Sequence, residues 1–269
     1  MNLPSNAKPL TGDVSVVTGG ARGLGRAIVE RLGHAGAVVA IADRDALMLD
    51  DTVSELRDAG LTVAGYHTDV TDEAAVQALA ASVATDLGPV SVLVNNAGFT
   101  HVGPTLGLSL EQWRESLDVM ATGAFLGCRE FGRQMRANGG GRIVNISSIN
   151  ARIHFPLRLA YDAAKAAVEA MTQSLAIEWA GYGIRVNAIA PGVTDTRMLR
   201  DAADAGLIDT EAYLSRVPLR RFGQAHEIAD AAYYLVSDQS TYVTGHVLTV
   251  DGGWSAFGWI PWSNDPEAP

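Results

Sequence analysis

Apolar positions along this chain follow two alternating patterns. Short continuous runs rich in β-branched residues predict strands at Val14–Thr18, Val38–Ala42, Thr62–Tyr66, Val90–Asn95, Arg142–Ile146, Arg185–Ile189 and Val247–Val250. Longer stretches with apolar residues at helical spacing predict helices at Leu24–Ala35, Ala46–Ala59, Glu73–Asp86, Leu110–Arg136, Ala160–Ala180 and Ala225–Val236, the fourth with a bend near Gly123. The strands are apolar throughout, as strands buried on both faces of a parallel sheet are. Regular strand–helix alternation then predicts an α/β fold, a doubly wound parallel sheet with helices on both faces. Ligands in such sheets bind beyond the carboxyl ends of the strands, near the switch in strand order. Functional residues are therefore expected just after strands.

Two stretches depart from the pattern. Residues 194–224 exceed the usual connection of about 4–6 residues. They are expected to carry a short helix or two and to cover the crevice as a lid; a plain surface insertion is the alternative. The tail, 254–269, holds Trp254, Trp259 and Trp262 before a polar end, which suggests docking on the body or on another subunit. With no internal repeat and no linker-like stretch, the expectation is one domain over residues 1–269.

Composition narrows the class. Hydrophobic residues make up 48% of the 269 positions and charged residues 19%, a globular balance. A net charge of −10 argues against a nucleic-acid partner. No apolar run reaches the roughly 18–20 residues of a membrane span, and Met1–Asp13 has no apolar signal core. Cys128, the single cysteine, rules out an intrachain disulfide. No His/Asp/Glu cluster stands at metal spacing, so no metal is expected. These features predict an acidic, soluble, cytoplasmic protein.

Candidate chemistry then falls at strand ends. After the first strand come Gly19, Arg22, Gly23, Leu24 and Gly25, in the spacing G-x-x-x-G-x-G. Glycines let a turn approach a pyrophosphate closely, and the following helix offers its first amides to the anion. A plain tight turn is the innocent reading. Asp43 ends the second strand, 24 residues after Gly19. A carboxylate there accepts from adenosine ribose hydroxyls and repels a 2′-phosphate, which favours NAD over NADP. Arg22 and Arg44 complicate that preference, because either could meet a 2′-phosphate. Asp69 and Val70 follow the third strand, and Asn95, Asn96, Ala97 and Gly98 close the fourth. Small residues there let a ribose sit close, and paired amides can tie strand ends together. Ser148 follows the fifth strand, where a hydroxyl can hold a substrate oxygen. Tyr161 and Lys165 are four apart on a helix and share a face. A phenol pKa near 10 is too high for a base at neutral pH; a nearby ammonium and an oxidised nicotinamide would lower it. Each feature alone occurs by chance, but the ordered set does not.

In these motifs the chain resembles the short-chain dehydrogenase/reductase family, in its compact single-domain, Rossmann-type branch. The resemblance runs from about Leu10 to Gly253 and includes Asn187, the run Pro191-Gly192-x-x-x-Thr196, and Gly245…Val250-Asp251-Gly252-Gly253. It implies Tyr161 as general acid/base, Ser148 as orienter of the reacting oxygen, and Lys165 as holder of the nicotinamide ribose. It implies that Asp43 binds the adenosine ribose and that Asp69 and Val70 bind the adenine. Asn96 would lie by the ribose, and Val193, Thr194 and Thr196, after Pro191, by the carboxamide. It also implies a homotetramer. One departure matters: the family usually has a catalytic asparagine in a run like Val-Asn-x-x-Gly, and here Met120 stands in its place. A thioether is a poor substitute for an amide that holds a water linking Lys165 to solvent. The relay then uses another route or another polar group, such as a backbone carbonyl at the bend, or the protein is kept for binding.

The implied reaction is hydride transfer between NAD and a secondary alcohol or ketone. The substrate wall is expected after Gly98 (Phe99, Thr100, His101), after Ser148 (Ile149, Asn150, Arg152, His154, Phe155), and at Val193, Met198 and Trp254. Asn150, Arg152, His101 and His154 fit a sugar or polyol, although such histidines are often structural. Arg152 could instead meet a carboxylate or sulfonate, or simply form a salt bridge. Phe99, Phe155, Leu157, Leu159 and Met198 would favour a cyclic or steroid-like ketone. An acyl-carrier-protein reductase fits less well, since its partner would share this chain's acidity. A non-catalytic NAD-binding protein is the alternative of a different class, with Met120 as its support.

Overall fold

The computed structural model describes residues 8–196, 199–200, 206 and 209–258. Its strands are β1 (Val14–Thr18), β2 (Val38–Asp43), β3 (Val63–His67), β4 (Val90–Asn95), β5 (Gly141–Ile146), β6 (Ile184–Pro191) and β7 (Val247–Val250). Interleaved with them are the helices α1 (Gly23–His34), α2 (Ala46–Asp58), α3 (Glu73–Asp86), α4 (Leu110–Leu117), α5 (Gly123–Ala137), α6 (Leu159–Trp179), α7 (Thr210–Arg216) and α8 (Ala225–Val236). The strands form one sheet in the order β3-β2-β1-β4-β5-β6-β7, and every neighbouring pair is parallel. The order reverses between β1 and β4, so the crevice for a ligand opens beyond Thr18 and Asn95.

Successive strand residues explain the uninterrupted apolar runs. Val17, Ile41, Val94 and Val144 face one side, against Ile28 and Leu32 of α1, Leu49 and Val53 of α2, and Ile228 and Leu235 of α8. Val16, Ala42, Leu93 and Ile143 face the other, against Leu79 and Val83 of α3, Phe131 and Met135 of α5, and Ala176 of α6. Each face has its own helical layer, so both faces are mainly apolar, and the buried polar strand residues Asn95 and Asn145 are hydrogen-bonded.

The expected elements are present, with ends moved by one or two residues, except in one region. Residues 110–136 are not one helix. Between α4 and α5, Asp118–Thr122 form a single π-turn, where the Gly123 amide bonds to the Asp118 carbonyl. The apolar periodicity runs through this turn, so it leaves no sign in the pattern. Its position follows from packing: a Cβ at Gly123 would lie 2.9 Å from Val70 Cγ2, so only glycine lets this turn lie against the β3–α3 connection.

Side-chain capping differs among the helices near the crevice. Asp45 caps α2, Asp72 caps α3, and Ser109 with Gln112 forms a reciprocal capping box on α4. No side chain caps α1, which starts at the switch point. Within 194–224 the expected short helix is α7, capped by Asp209. The two ends of the excursion meet, because Thr194 pairs with Gly223, and the Gly223 amide donates to the Val193 carbonyl at 3.0 Å. Met198, Trp259 and Trp262 lie outside the described residues. Among those described, no helix is long and apolar enough to cross a membrane.

Candidate active site

The glycine turn between β1 and α1 is shaped by close contacts. Gly19 and Gly23 adopt φ +63 and +57, the region that favours glycine. A Cβ at Gly25 would collide with the Gly19 carbonyl oxygen and lie 2.5 Å from Asn96 Nδ2. Asp43 closes the turn from the end of β2: one carboxylate oxygen accepts from the Ala21 amide at 3.1 Å, the other from the Asp45 amide at 3.1 Å. Arg22 and Arg44 flank it, both exposed. Uncapped helical amides, a collapsed glycine turn and a strand-end carboxylate together fit the pyrophosphate and ribose of a dinucleotide.

The other residues expected at the cofactor take distinct places. Asn96 Nδ2 donates to the Thr18 and Gly19 carbonyls at 3.0 and 2.9 Å, so its side chain holds the turn itself. The Ala97 amide donates to Thr18 Oγ1 at 3.2 Å. Asp69 accepts from the backbone and hydroxyl of Thr71; the Thr71 amide is the main reason its carboxyl is held below its ordinary value. Val70 is buried against Val119 and Met120. Thr194 Oγ1 donates to the Gly192 carbonyl at 3.2 Å, and Thr196 accepts from the Leu199 amide at 3.4 Å. Asn187 is structural: its amide donates to the Val243 carbonyl and accepts from the His246 amide.

Ser148, Tyr161 and Lys165 meet at the end of β5. Ser148 Oγ accepts from the Asn150 amide at 3.1 Å and faces the Tyr161 phenol. Lys165 Nζ donates to the Ile146 carbonyl at 2.7 Å and lies 5.7 Å from the Tyr161 ring centroid. Burial alone pulls the lysine down to about 8, because its charged form is held away from water. Desolvation pushes the Tyr161 phenol above its ordinary value; the Ser148 hydroxyl and then the Arg158 guanidinium pull it back, and Asp162 adds to the rise. Arg158 is the cation that sequence reasoning missed. Its position three residues before Tyr161, within reach of the same helix face, was the available signal.

Met120 sits in the π-turn with 2% of its surface exposed. It packs on Gly98, where a Cβ would lie 3.3 Å from Met120 Cγ. Between Met120, Lys165, Ile146, Asn95 and Val168 lies a cavity of about 10 Å³. That is close to the room needed for a single water.

Most of the polar side chains expected on the substrate wall are paired with the scaffold. Asn150 is buried and its amide donates to Asp162 Oδ1 at 3.0 Å. Arg152 Nε donates to Glu169 Oε2 at 2.7 Å, which is the salt-bridge alternative of the sequence reading. His101 Nε2 lies 3.0 Å from Glu115 Oε2, and His154 Nδ1 lies 3.1 Å from the Asn150 carbonyl and 3.4 Å from Asp162 Oδ2. What remains is aromatic. Phe155, Tyr213 and Trp254 form a triangle with ring centroids 5.4–5.9 Å apart, seated on Ile149, Val193 and Val217.

This geometry is that of a reductase cleft, and comparison with known proteins agrees. Residues 19–255 match a short-chain dehydrogenase family model described as enoyl-(acyl carrier protein) reductase. The chain is 41% identical to the cis-4-hydroxycyclohexanecarboxylate dehydrogenase of Sinomonas cyclohexanicum, over 90% of this chain and 96% of that one. It is 37% identical to glucose 1-dehydrogenase 2 of Bacillus subtilis (strain 168), over 93% and 97%. The crystal structure of a gluconate 5-dehydrogenase from Burkholderia cenocepacia J2315 in complex with NADP and tartrate superposes with a TM-score of 0.88, at 32% identity, covering 94% of this chain and 98% of that one. The chain belongs to the short-chain dehydrogenase/reductase family. It is an oxidoreductase that interconverts a secondary alcohol and a ketone with a nicotinamide dinucleotide.

Two outcomes follow from this geometry. Gly25→Ala is expected to weaken NADH binding at least about tenfold in a fluorescence titration, a loss of about 1.4 kcal/mol, with unchanged circular dichroism. Parental affinity would mean that the turn does not hold the dinucleotide. The second outcome concerns Lys165, held at about 8 against an ordinary 10.5. Between these values the folded chain binds fewer protons than the unfolded one, so this lysine makes stability rise with pH across the window, and below it the buried ammonium is held at a cost. The stability difference between Lys165→Met and the parent, both cofactor-free, should therefore shift in the parent's favour from pH 8 to 10.5. A flat difference would show that Lys165 titrates normally.

Proposed function

We propose that this chain is an NAD-dependent dehydrogenase of polar secondary alcohols such as sugars, polyols and their acids. The observation that carries the reading is the meeting of Ser148, Tyr161 and Lys165 at the end of β5, together with a glycine turn closed by Asp43 at the switch point. Asp43, at the end of β2 against the glycine turn, supports NAD, since a carboxylate there would repel an adenosine 2′-phosphate; the exposed Arg22 and Arg44 are the cations an NADP preference would need. The named relatives support a polar substrate. The aromatic triangle supports a second reading, a cyclic alcohol or ketone.

In this reading Ser148 Oγ donates to the substrate oxygen and fixes its place. Tyr161 takes the hydroxyl proton during oxidation and returns it during reduction. The nicotinamide ring, when bound, accepts or supplies the hydride. Lys165 holds the ribose beside that ring and keeps a positive charge near the phenol, offsetting the desolvation that favours its neutral form. Helix α7, with Trp254 packed on its Tyr213, walls the substrate side of the cleft. Exposed Phe125 on α5 and Leu159 and Ile177 on α6 support the homotetramer.

The one-water cavity beside Met120 supports a proton relay carried by the backbone carbonyls of the π-turn in place of an asparagine amide. On that basis Met120→Asn changes kcat by less than about tenfold. A gain of about 10²-fold, the lower end of what a proton-transfer group contributes, would show that the parent lacks the relay.

A nicotinamide-absorbance assay tests the function. Polyols, sugars, sugar acids and cyclic alcohols are offered with NAD and NADP. NAD is expected to give the higher kcat/KM, and Tyr161→Phe to lose at least about 10²-fold in turnover. A higher kcat/KM with NADP overturns the Asp43 argument. Cofactor binding with no turnover of any alcohol moves the protein to a binding role.

A further inference from the structure

Building on the reading of this chain as a dehydrogenase of polar alcohols, we infer that Arg158 is a specificity residue that binds a carboxylate, so the preferred substrate is a hydroxycarboxylic acid.

The wall sorts its charges. Arg152, His101 and His154 each lie against a scaffold carboxylate, Glu169, Glu115 and Asp162 respectively. Asp162 also accepts from Asn150, so the nearest acid to Arg158 on this helix is already engaged. Arg158 has no acidic partner among the described residues. Its guanidinium lies 5.9 Å from the centroid of the Phe155 ring, in the aromatic triangle. At the other side of the triangle Arg216, also without an acidic partner among the described residues, lies 5.5 Å from the Trp254 ring. In a chain of net charge −10, an arginine left unpaired beside the catalytic tyrosine is a local exception to a field that repels anions.

The backbone holds Arg158 in place. The preceding residue, Leu157, adopts φ +69, a left-handed conformation that a branched side chain rarely takes. Its carbonyl accepts from the Gly103 amide at 2.9 Å, which fastens this loop to the loop after β4. The Arg158 carbonyl in turn accepts from the Asp162 amide at 2.9 Å and starts α6. Strain of this kind persists where the surroundings over-determine it, and it clusters at ligand clamps. Guanidinium forks match carboxylates in a bidentate way.

Arg158 is the N-cap residue of the helix that carries Tyr161, and its guanidinium is near enough to pull the phenol down. That placement suits a carboxylate several bonds away from the reacting carbinol. In the reaction the carbinol C–H bond breaks, the hydride passes to the oxidised nicotinamide, and the hydroxyl proton passes to Tyr161. The carboxylate is unchanged and serves only as an anchor.

The test compares matched pairs of probes, gluconate with glucitol and cis-4-hydroxycyclohexanecarboxylate with its carboxamide, in the parent, Arg158→Leu and Arg158→Lys. The readout is the ratio of kcat/KM for acid over neutral partner, which cancels any general effect of the substitution on Tyr161. The parent ratio is expected to exceed about ten, to fall about 10–100-fold in Arg158→Leu, and to be partly kept in Arg158→Lys. Binding of the acids to the NADH complex, followed by NADH fluorescence, should weaken in step. An equal loss for acid and neutral partner, or a parent preference for the neutral one, overturns the assignment. If neither member of any pair turns over, the dehydrogenase reading fails, and acid binding to the NADH complex then decides the anion site alone: loss in Arg158→Leu supports it, and no acid binding overturns it.

Discussion

The approach of the β1–α1 turn to the end of β4 is the contact on which the site depends. Thr18 Oγ1 accepts from the amides of both Asn96 and Ala97, while the Asn96 side chain donates back to the carbonyls of Thr18 and Gly19. Each such bond contributes about 1 kcal/mol net, but their joint effect is geometric. They lock two strand ends at the place where the strand order reverses. The next residue continues the chain of contacts inward: Asn95 Nδ2 donates to Asn145 Oδ1 at 2.8 Å, and Asn145 Nδ2 to Thr172 Oγ1 at 2.9 Å. Thr172 lies on α6, the helix that carries Tyr161 and Lys165. A buried polar line thus runs from the glycine turn to α6, and a buried network of this kind specifies one arrangement because a partly satisfied alternative is costly.

Along that line Tyr161 and Lys165 are left in environments that oppose their charged forms. Lys165 is drawn down and Tyr161 pushed up, both first by desolvation. Before a cofactor binds, Tyr161 therefore rests as a neutral phenol beside a lysine that keeps its proton below about pH 8. The Lys165–Ile146 bond shows how the lysine is restrained meanwhile: a carbonyl at the end of β5 occupies one of its three donors and leaves two. The positive ring of an oxidised nicotinamide bound in the same cleft would shift the phenol toward its charged form. On the proposed reading, the charge state of Tyr161 is thereby coupled to occupancy of the cleft.

Sheet and helices were legible because burial on two faces leaves a plain signature in Val16 and Val17 or Ala40 and Ile41, where neighbours point to opposite layers and both must be apolar. The glycine turn and the Ser148, Tyr161 and Lys165 set were legible because their chemistry needs fixed local spacing. The π-turn was not, since the pressure on Gly123 comes from Val70, 53 positions away in the chain, and no local pattern records it. Pairings were hidden for the same reason. Arg152 meets Glu169 and His101 meets Glu115 at 17 and 14 residues' distance, so the sequence shows the donors without showing that they are engaged. Reading every polar residue after a strand as available therefore overstated how polar the wall is, and it overlooked Arg158.

That difference bears on what the cleft can recognise. A paired donor on the wall is held by its acid partner and gains little by trading one carboxylate for a substrate hydroxyl, because both partners would have to be desolvated anew. An aromatic triangle assembled from residues 155, 213 and 254 instead offers flat apolar area whose attraction does not depend on hydroxyl pattern. On such a surface, discrimination falls to the few charged groups at the rim, since hydrophobic contact alone separates close analogues poorly. The two arginines on the rings are those groups. On the proposed reading, substrate choice is accordingly set less by the number of hydroxyls a ligand presents than by where its charge lies relative to the carbinol.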